Sequence, residues 1–229
     1  FSINPSDLHQ LIEKTYFAMA QQDVRYFLNG MLWIFDQHTM KAVATDGHRL
    51  AMTSIPITSN MSPTQLIVPR KTIVELMRLL SSHTNTHDLT MRIGERYLRI
   101  ISPDYTLTTK LIDGRFPEFN KVVPLHGDKE ILIEKETLKQ ALQRVAILAN
   151  EKVRGVCLQL RESLLRIVTT NSTSETAEEI FEIGYQGPDL DIGFNVGYLL
   201  DALNALSSQE AKFTFSNADS GVLIHDTSD

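Results

Sequence analysis

Cysteine occurs once in the 229 residues, at Cys157, so no disulfide framework is available and the fold must be held by its core. Cys157 lies in the apolar run Val156 to Leu160 and reads as a buried small hydrophobe rather than a nucleophile. No apolar run approaches the roughly 18 residues that a membrane span needs, and the opening FSINPSDL has neither the basic flank nor the apolar stretch of a signal peptide. A cytoplasmic protein without membrane association is expected. Positive charge is not in excess either: 22 Lys and Arg stand against 28 Asp and Glu, a net charge of −6. That balance argues against tight, backbone-driven nucleic-acid binding by the whole surface and leaves a local basic face open.

Catalytic signatures are missing as well. There is no GxxxxGK phosphate loop, no GxSxG elbow, no HExxH and no Cys/His cluster with ligand spacing. His83 and His87 are four apart, as two metal ligands on a helix would be, but the intervening Thr84-Asn85-Thr86 is loop-like, and no metal is expected. Glu178 and Glu179 are neighbours in a strand-like run, so they point to opposite faces, one exposed and one paired, and make no catalytic dyad. An enzyme is disfavoured, and no cofactor is expected.

What is present is an ordinary globular composition, 42% hydrophobic and 22% charged, enough to bury a core in one large or two medium domains. The stretch Ala44 to Ala51, ATDGHRLA, organises the rest. Strand-like runs lie on either side, Met40 to Ala44 and Leu50 to Ile57, so Asp46-Gly47 falls where a two-residue hairpin turn is predicted. His48, Arg49 and Leu50 then present a polar ring, a cation and an apolar side chain beside one corner. Two readings stay open, a solvated hairpin flank and the lip of a binding pocket.

Asn4, Ser6 and Asp7 are candidate caps for a helix from about Pro5 to Ala20, followed by a strand at MLWIF (31–35) and a turn at Asp36-Gln37-His38. Ile73, Leu76, Met77 and Leu80 predict an amphipathic helix from about Arg70 to Ser81, and the alternating runs LTMRI, YLRII and TLTTKLI predict three strands. The second half repeats the first. Leu138, Ala141, Leu142, Val145 and Leu148 form a helical stripe; Thr45-Asp46 aligns with Thr170-Asn171 at a shift of 125 residues, and Val68 to Leu80 with Phe194 to Leu206 at a shift of 126. Four copies of one helix-then-strands unit in two similar domains are expected, residues 1–120 and 121–229, in an α+β fold with helices on one side of antiparallel sheets.

The strings QQDVRYFLNGML, ATDGHRLA, IVPRKTIVELMRLL, KLIDGRFPEF, AILANEKVRGV and IGFNVGYLLDALNAL, in this order, resemble the middle and C-terminal domains of the bacterial beta sliding clamp, the processivity factor of the replicative DNA polymerase. The resemblance runs over nearly the whole chain, without the family's N-terminal domain, last strand and tail. It implies a non-catalytic DNA-clamp fold that closes into a homodimeric ring, with helices lining the inner face and sheets outside. Such a ring slides on duplex DNA without reading sequence and tethers polymerases, the clamp loader and repair proteins through short apolar peptide motifs. The peptide pocket, set between the two domains, carries over to Leu28, Thr45, Gly47, His48, Arg49, Leu50, Pro117 and Val122, and on its far side to Asn195, Tyr198 and Gly221. DNA-facing positions carry over to Gln22, Arg25, Tyr26, Phe27, Arg70 and Lys71, and the subunit interface to Ile147 and Leu148. The rival readings are a stand-alone nucleic-acid module, against which the scattered basic residues speak, and an enzyme of unknown type.

Overall fold

Each α-helix among the described residues starts where an extended segment ends, and in three of the four the junction residue does the capping with its side chain. Asn4 and Asn195 accept the N–H of Ser6 (2.9 Å) and Gly197 (2.8 Å), while the Glu134 carboxylate takes those of Glu136 and Thr137. Each supplies a partner to an N–H group that the first helical turn leaves unpaired. The computed structural model describes residues 1–58, 62–81, 87–124, 127–150 and 153–227. Their elements run β1 (Ser2–Ile3), α1 (Pro5–Glu13), β2 (Gly30–Phe35), β3 (Thr39–Thr45), β4 (Leu50–Pro56), β5 (Thr64–Pro69), α2 (Arg70–Leu80), β6 (Leu89–Ile93), β7 (Tyr97–Ile101) and β8 (Thr106–Lys110). They continue with β9 (Lys129–Glu134), α3 (Lys135–Ala146), β10 (Gly155–Arg161), β11 (Leu164–Thr170), β12 (Thr176–Glu182), β13 (Leu190–Asn195), α4 (Val196–Ala205), β14 (Glu210–Phe215) and β15 (Leu223–Asp226).

The chain divides into two compact units, Phe1–Pro117 and Glu118–Asp229. In the first, the sheet orders are β4-β3-β2-β5 and β1-β6-β7-β8; in the second, β12-β11-β10-β13 and β15-β14-β9. All pairings are antiparallel. The strand preceding each helix joins the sheet of the other repeat, so two copies of a strand–helix–strands unit interlock by exchanging their first strands. Helix α1 packs on α2 within one unit and α3 on α4 within the other. The α+β class and the internal repeat stand as expected. The repeat, however, begins with a strand rather than a helix, since β1 is too short to show alternation and β5 ends on Pro69 at the helix start.

Other expectations need correction. Helix α1 stops at Glu13, not near Ala20: the buried Thr15 hydroxyl donates to the Leu11 carbonyl (2.8 Å), the acceptor that the Thr15 N–H would use, and that N–H turns to Ile12 instead. The chain then passes through a 3-10 turn, Tyr16–Ala18. Leu148 lies beyond the end of α3 and is only half-buried, so the stripe ends at Val145. Cys157 faces the partly exposed side of β10, and burial together with the Asp191 carboxylate pushes its thiol upward, away from nucleophilic character. Glu178 and Glu179 do point to opposite faces, but both are paired, Glu178 with Arg166 of β11 and Glu179 with Arg144 of α3. His83 lies outside the described residues.

Each unit closes its own core. The first is built around Trp33, Phe35, Leu8, Leu11, Ile12, Ile73 and Leu76, the second around Leu138, Leu142, Val145, Leu160, Phe213 and Phe215. Both draw one stripe from each helix and the inward positions of both sheets, which is how a helix–sheet layer buries its apolar faces.

Candidate functional site

The β3–β4 corner carries the ATDGHRLA stretch. Thr45 pairs with Leu50, so the connection is a four-residue loop, Asp46 to Arg49, and not the expected two-residue turn. Asp46 explains the difference: its Oδ1 accepts the N–H groups of His48 (2.9 Å) and Arg49 (3.0 Å), giving the backbone a side-chain partner in place of further ladder bonds. The Thr45 hydroxyl donates to the Arg49 carbonyl (2.6 Å) and accepts the Gly47 N–H (3.1 Å). Gly47 has φ +89°, as its place in the turn predicts.

Arg49 is turned inward rather than toward a rim. Its guanidinium meets the Asp46 carboxylate (3.2 Å), donates to the Phe17 carbonyl (2.8 Å) and lies over the Phe17 ring, 5.3 Å from its centroid. It is a strut between the loop and the turn after α1. His48 and Gly47 are exposed, Leu50 is half-buried, and Leu28 and Thr45 lie beneath the surface. Pro117 is exposed at the last position of the first unit.

The candidate DNA-facing loop, residues 21–27, reaches the same corner. Asn29 and Asp23 lock it through reciprocal bonds of 2.9 and 2.8 Å, and the Leu28 N–H donates to the Arg25 carbonyl (2.8 Å). Arg25 forms a two-pronged pair with Asp23 (3.0 and 2.8 Å) and donates to the Asp46 carbonyl (3.3 Å). A Cβ on Gly47 would stand 2.9 Å from the Arg25 guanidinium, so glycine both satisfies the backbone and makes room for this cation. The Arg25 side-chain bonds, and then its backbone N–H, hold the Asp23 carboxyl down at about 2. Tyr26 is exposed beside Phe27 in an edge-to-face pair at 5.7 Å, and Gln22 is exposed with φ +57°. Arg70 donates to the Met19 carbonyl (3.2 Å) at the start of α2, next to an exposed Lys71. The two sets of candidates in this unit thus meet through Arg25. Asp23 and Phe17, which help hold the arrangement, escaped sequence reasoning, as did the side-chain role of Asp46, read only as a turn residue; the Asp two residues before an N–H in both D-V-R and D-G-H is the signal that could have found both aspartate roles.

In the second unit Asn195 accepts the Gly197 N–H and donates to the Val153 carbonyl (3.2 Å), fixing the start of α4, where Tyr198 is half-buried one turn on. Gly221 is exposed before β15, and Val122 is 69% exposed. Ile147 is 84% exposed at the end of α3. Among the described residues no group of three or more His, Cys, Asp and Glu is arranged to hold a metal ion, and no helix is long and apolar enough to cross a membrane.

Comparison with known proteins bears on this geometry. The model of the DNA polymerase III beta subunit central domain matches residues 2–118, and that of its C-terminal domain matches residues 120–229. A beta sliding clamp of Pseudomonas aeruginosa is 45% identical over 227 residues, and one of Escherichia coli 44% identical over 226, each match covering 99% of this chain and 61% of the relative. The chain therefore spans 61% of the length of these relatives. The crystal structure of the P. aeruginosa subunit is similar with a TM-score of 0.96 at 44% identity, covering 100% of this chain and 62% of that one. A clamp of the same organism bound to griselimycin gives 0.94 at 45%, with the same coverage. Two contiguous family matches that fill the chain, with the strand-exchanged repeat of both units beneath them, place it in the DNA polymerase III beta subunit family, to which it belongs through that family's central and C-terminal domains.

Proposed function

We propose that this chain forms the middle and C-terminal part of a cytoplasmic, non-catalytic sliding clamp, which in its whole form encircles duplex DNA as a homodimeric ring. It holds DNA polymerases, the clamp loader and repair proteins through short apolar peptides. The observation that carries this reading is the corner at Asp46 to Leu50, where a polar rim at His48 and a half-buried Leu50 stand on a rigid base of Thr45, Asp46 and Arg49. Pre-organised loops of this kind bind without paying to order themselves. The first unit's peptide contacts are Leu28, Thr45, Gly47, His48, Arg49, Leu50 and Pro117, with Leu28, Thr45 and Arg49 acting from below; Val122, Asn195, Tyr198 and Gly221 are the second unit's contacts.

Gln22, Arg25, Tyr26, Phe27, Arg70 and Lys71 are the proposed DNA contacts. Scattered cations of this sort, Arg25 already engaged by Asp23, hold phosphates weakly and through water, which suits sliding and carries no sequence information. Ile147, with Leu148 beside it, offers the apolar surface proposed for the neighbouring subunit.

Griselimycin, the ligand of the P. aeruginosa clamp, is the probe for the peptide site. Binding to this chain is expected, with Leu50→Ala weakening it by about tenfold, near 1.4 kcal/mol, and His48→Ala by less. Calorimetric titration beside a thermal melt separates the two explanations: a variant that binds like the parent takes the pocket away from this corner, and one that loses only melting temperature assigns Leu50 to packing.

A further inference from the structure

Many surface cations of this chain are answered by acid. Arg78 meets Glu75, Arg144 meets Glu179, Arg161 meets Asp191, Arg166 meets Glu178 and Lys212 meets Glu130. The outward face of the β6-β7-β8 sheet differs from these. Arg92 and Arg99 are directly paired across β6 and β7, and Thr108 follows on β8, so two guanidinium groups and a hydroxyl form one row across three strands. The adjoining row places Tyr97 opposite Lys110. Arg99 donates to the Thr108 hydroxyl (3.1 Å), and no ion pair among the described residues engages Arg92, Arg99 or Lys110. Like charges set opposite one another in a sheet repel, so this row costs stability that a bound anion would return. Arg92, Ile93, Gly94, Tyr97, Arg99 and Thr108 line an open groove of about 450 Å³ here.

The size and surroundings of the patch select the anion. Asp88 before β6, Glu95 in the β6–β7 turn and Asp104 in the β7–β8 turn are all exposed and bound it at both ends of the strands. A long polyanion such as single-stranded nucleic acid would run over these carboxylates; a short segment with two or three carboxylates would not. Forked guanidinium groups match carboxylates in pairs, and the exposed Tyr97 ring offers cover to an apolar residue beside them. We infer that this face is a docking surface for a short acidic polypeptide segment of a partner protein, held by Arg92, Arg99 and Lys110 with Tyr97 at its edge. The inference does not depend on the proposed peptide site or on DNA binding, since none of those residues takes part.

The test uses the whole chain and a fluorescein-labelled hexaglutamate peptide ending in phenylalanine, titrated by anisotropy at low and moderate salt. Binding is expected, with affinity falling by about tenfold or more in the Arg92→Glu, Arg99→Glu double variant, and with little change in Arg161→Ala, whose cation is already paired. Amide shifts of Gly94 and Thr108 on adding peptide to the parent give a second reading that needs no variant. Absence of binding to the parent, equal binding by the double variant, or an oligothymidylate of the same charge shifting these amides at lower concentration than the peptide would each overturn the proposal.

Discussion

Gly47 and Arg25 define each other. The positive φ that closes the loop excludes most side chains, and the space a side chain would fill is taken by the Arg25 guanidinium on its way to the Asp46 carbonyl. Arg25 can stay there because Asp23 holds it from the other side, and this pairing has a titration signature. The Asp23 carboxyl sits at about 2 against an ordinary 3.8, so the folded chain holds its charged form more firmly than an unfolded one does. Its contribution to stability is complete above about 3.8 and is lost as pH falls through about 2. Replacing Arg25 by Ala removes the side-chain bonds and keeps the bond from the residue 25 N–H, so the Asp23 midpoint should rise part of the way toward 3.8. Carboxyl carbon shifts followed by NMR report that midpoint directly, and an Asp23 that titrates alike in both proteins would show the arginine to be a bystander.

At the scale of elements, the helix starts differ in what caps them: Asn4, Glu134 and Asn195 do so with side chains, whereas Pro69 brings none. For α4, only ten residues long, Asn195→Ala should lower stability by about 1 kcal/mol in urea unfolding, and Asn195→Asp, which keeps the acceptor but loses the donor to the Val153 carbonyl, should recover part of it. Because Asn195 is also a proposed peptide contact, the aspartate variant separates a lost cap from a lost contact. The same elements show what the sequence could and could not disclose. Helix α2 was legible because Ile73, Leu76 and Leu80 keep one face apolar to its end, and β6 to β8 because their alternation is clean. The end of α1 was not, since Ala18 and Met19 continue the apolar spacing and only the Thr15 hydroxyl stops the helix. In the site, the need for glycine at position 47 could be read from its neighbours. The inward role of Arg49 could not, because Phe17 lies 32 residues earlier and no local pattern reports a contact at that range.

For the molecule as a whole, what matters is that each unit completes its own core. No buried residue of one cluster belongs to the other: Leu76 packs among the Trp33 and Phe35 side chains, and Leu142 among residues that include Phe213. The strand exchange that interlocks two repeats happens inside each unit, so cutting the chain between Pro117 and Glu118 severs none of the sheets. A segment that keeps its sheets, its helix pair and its core has what folding requires at this length. Fragments 1–117 and 118–229 should each melt cooperatively and give dispersed amide spectra. Leu76→Ala should destabilise the first fragment, and Leu142→Ala the second, by about 2–5 kcal/mol, the cost of truncating a fully buried leucine. A fragment that stays unfolded while its counterpart folds would mean that its core is completed from outside, and the repeat would then be a unit of architecture without being a unit of stability.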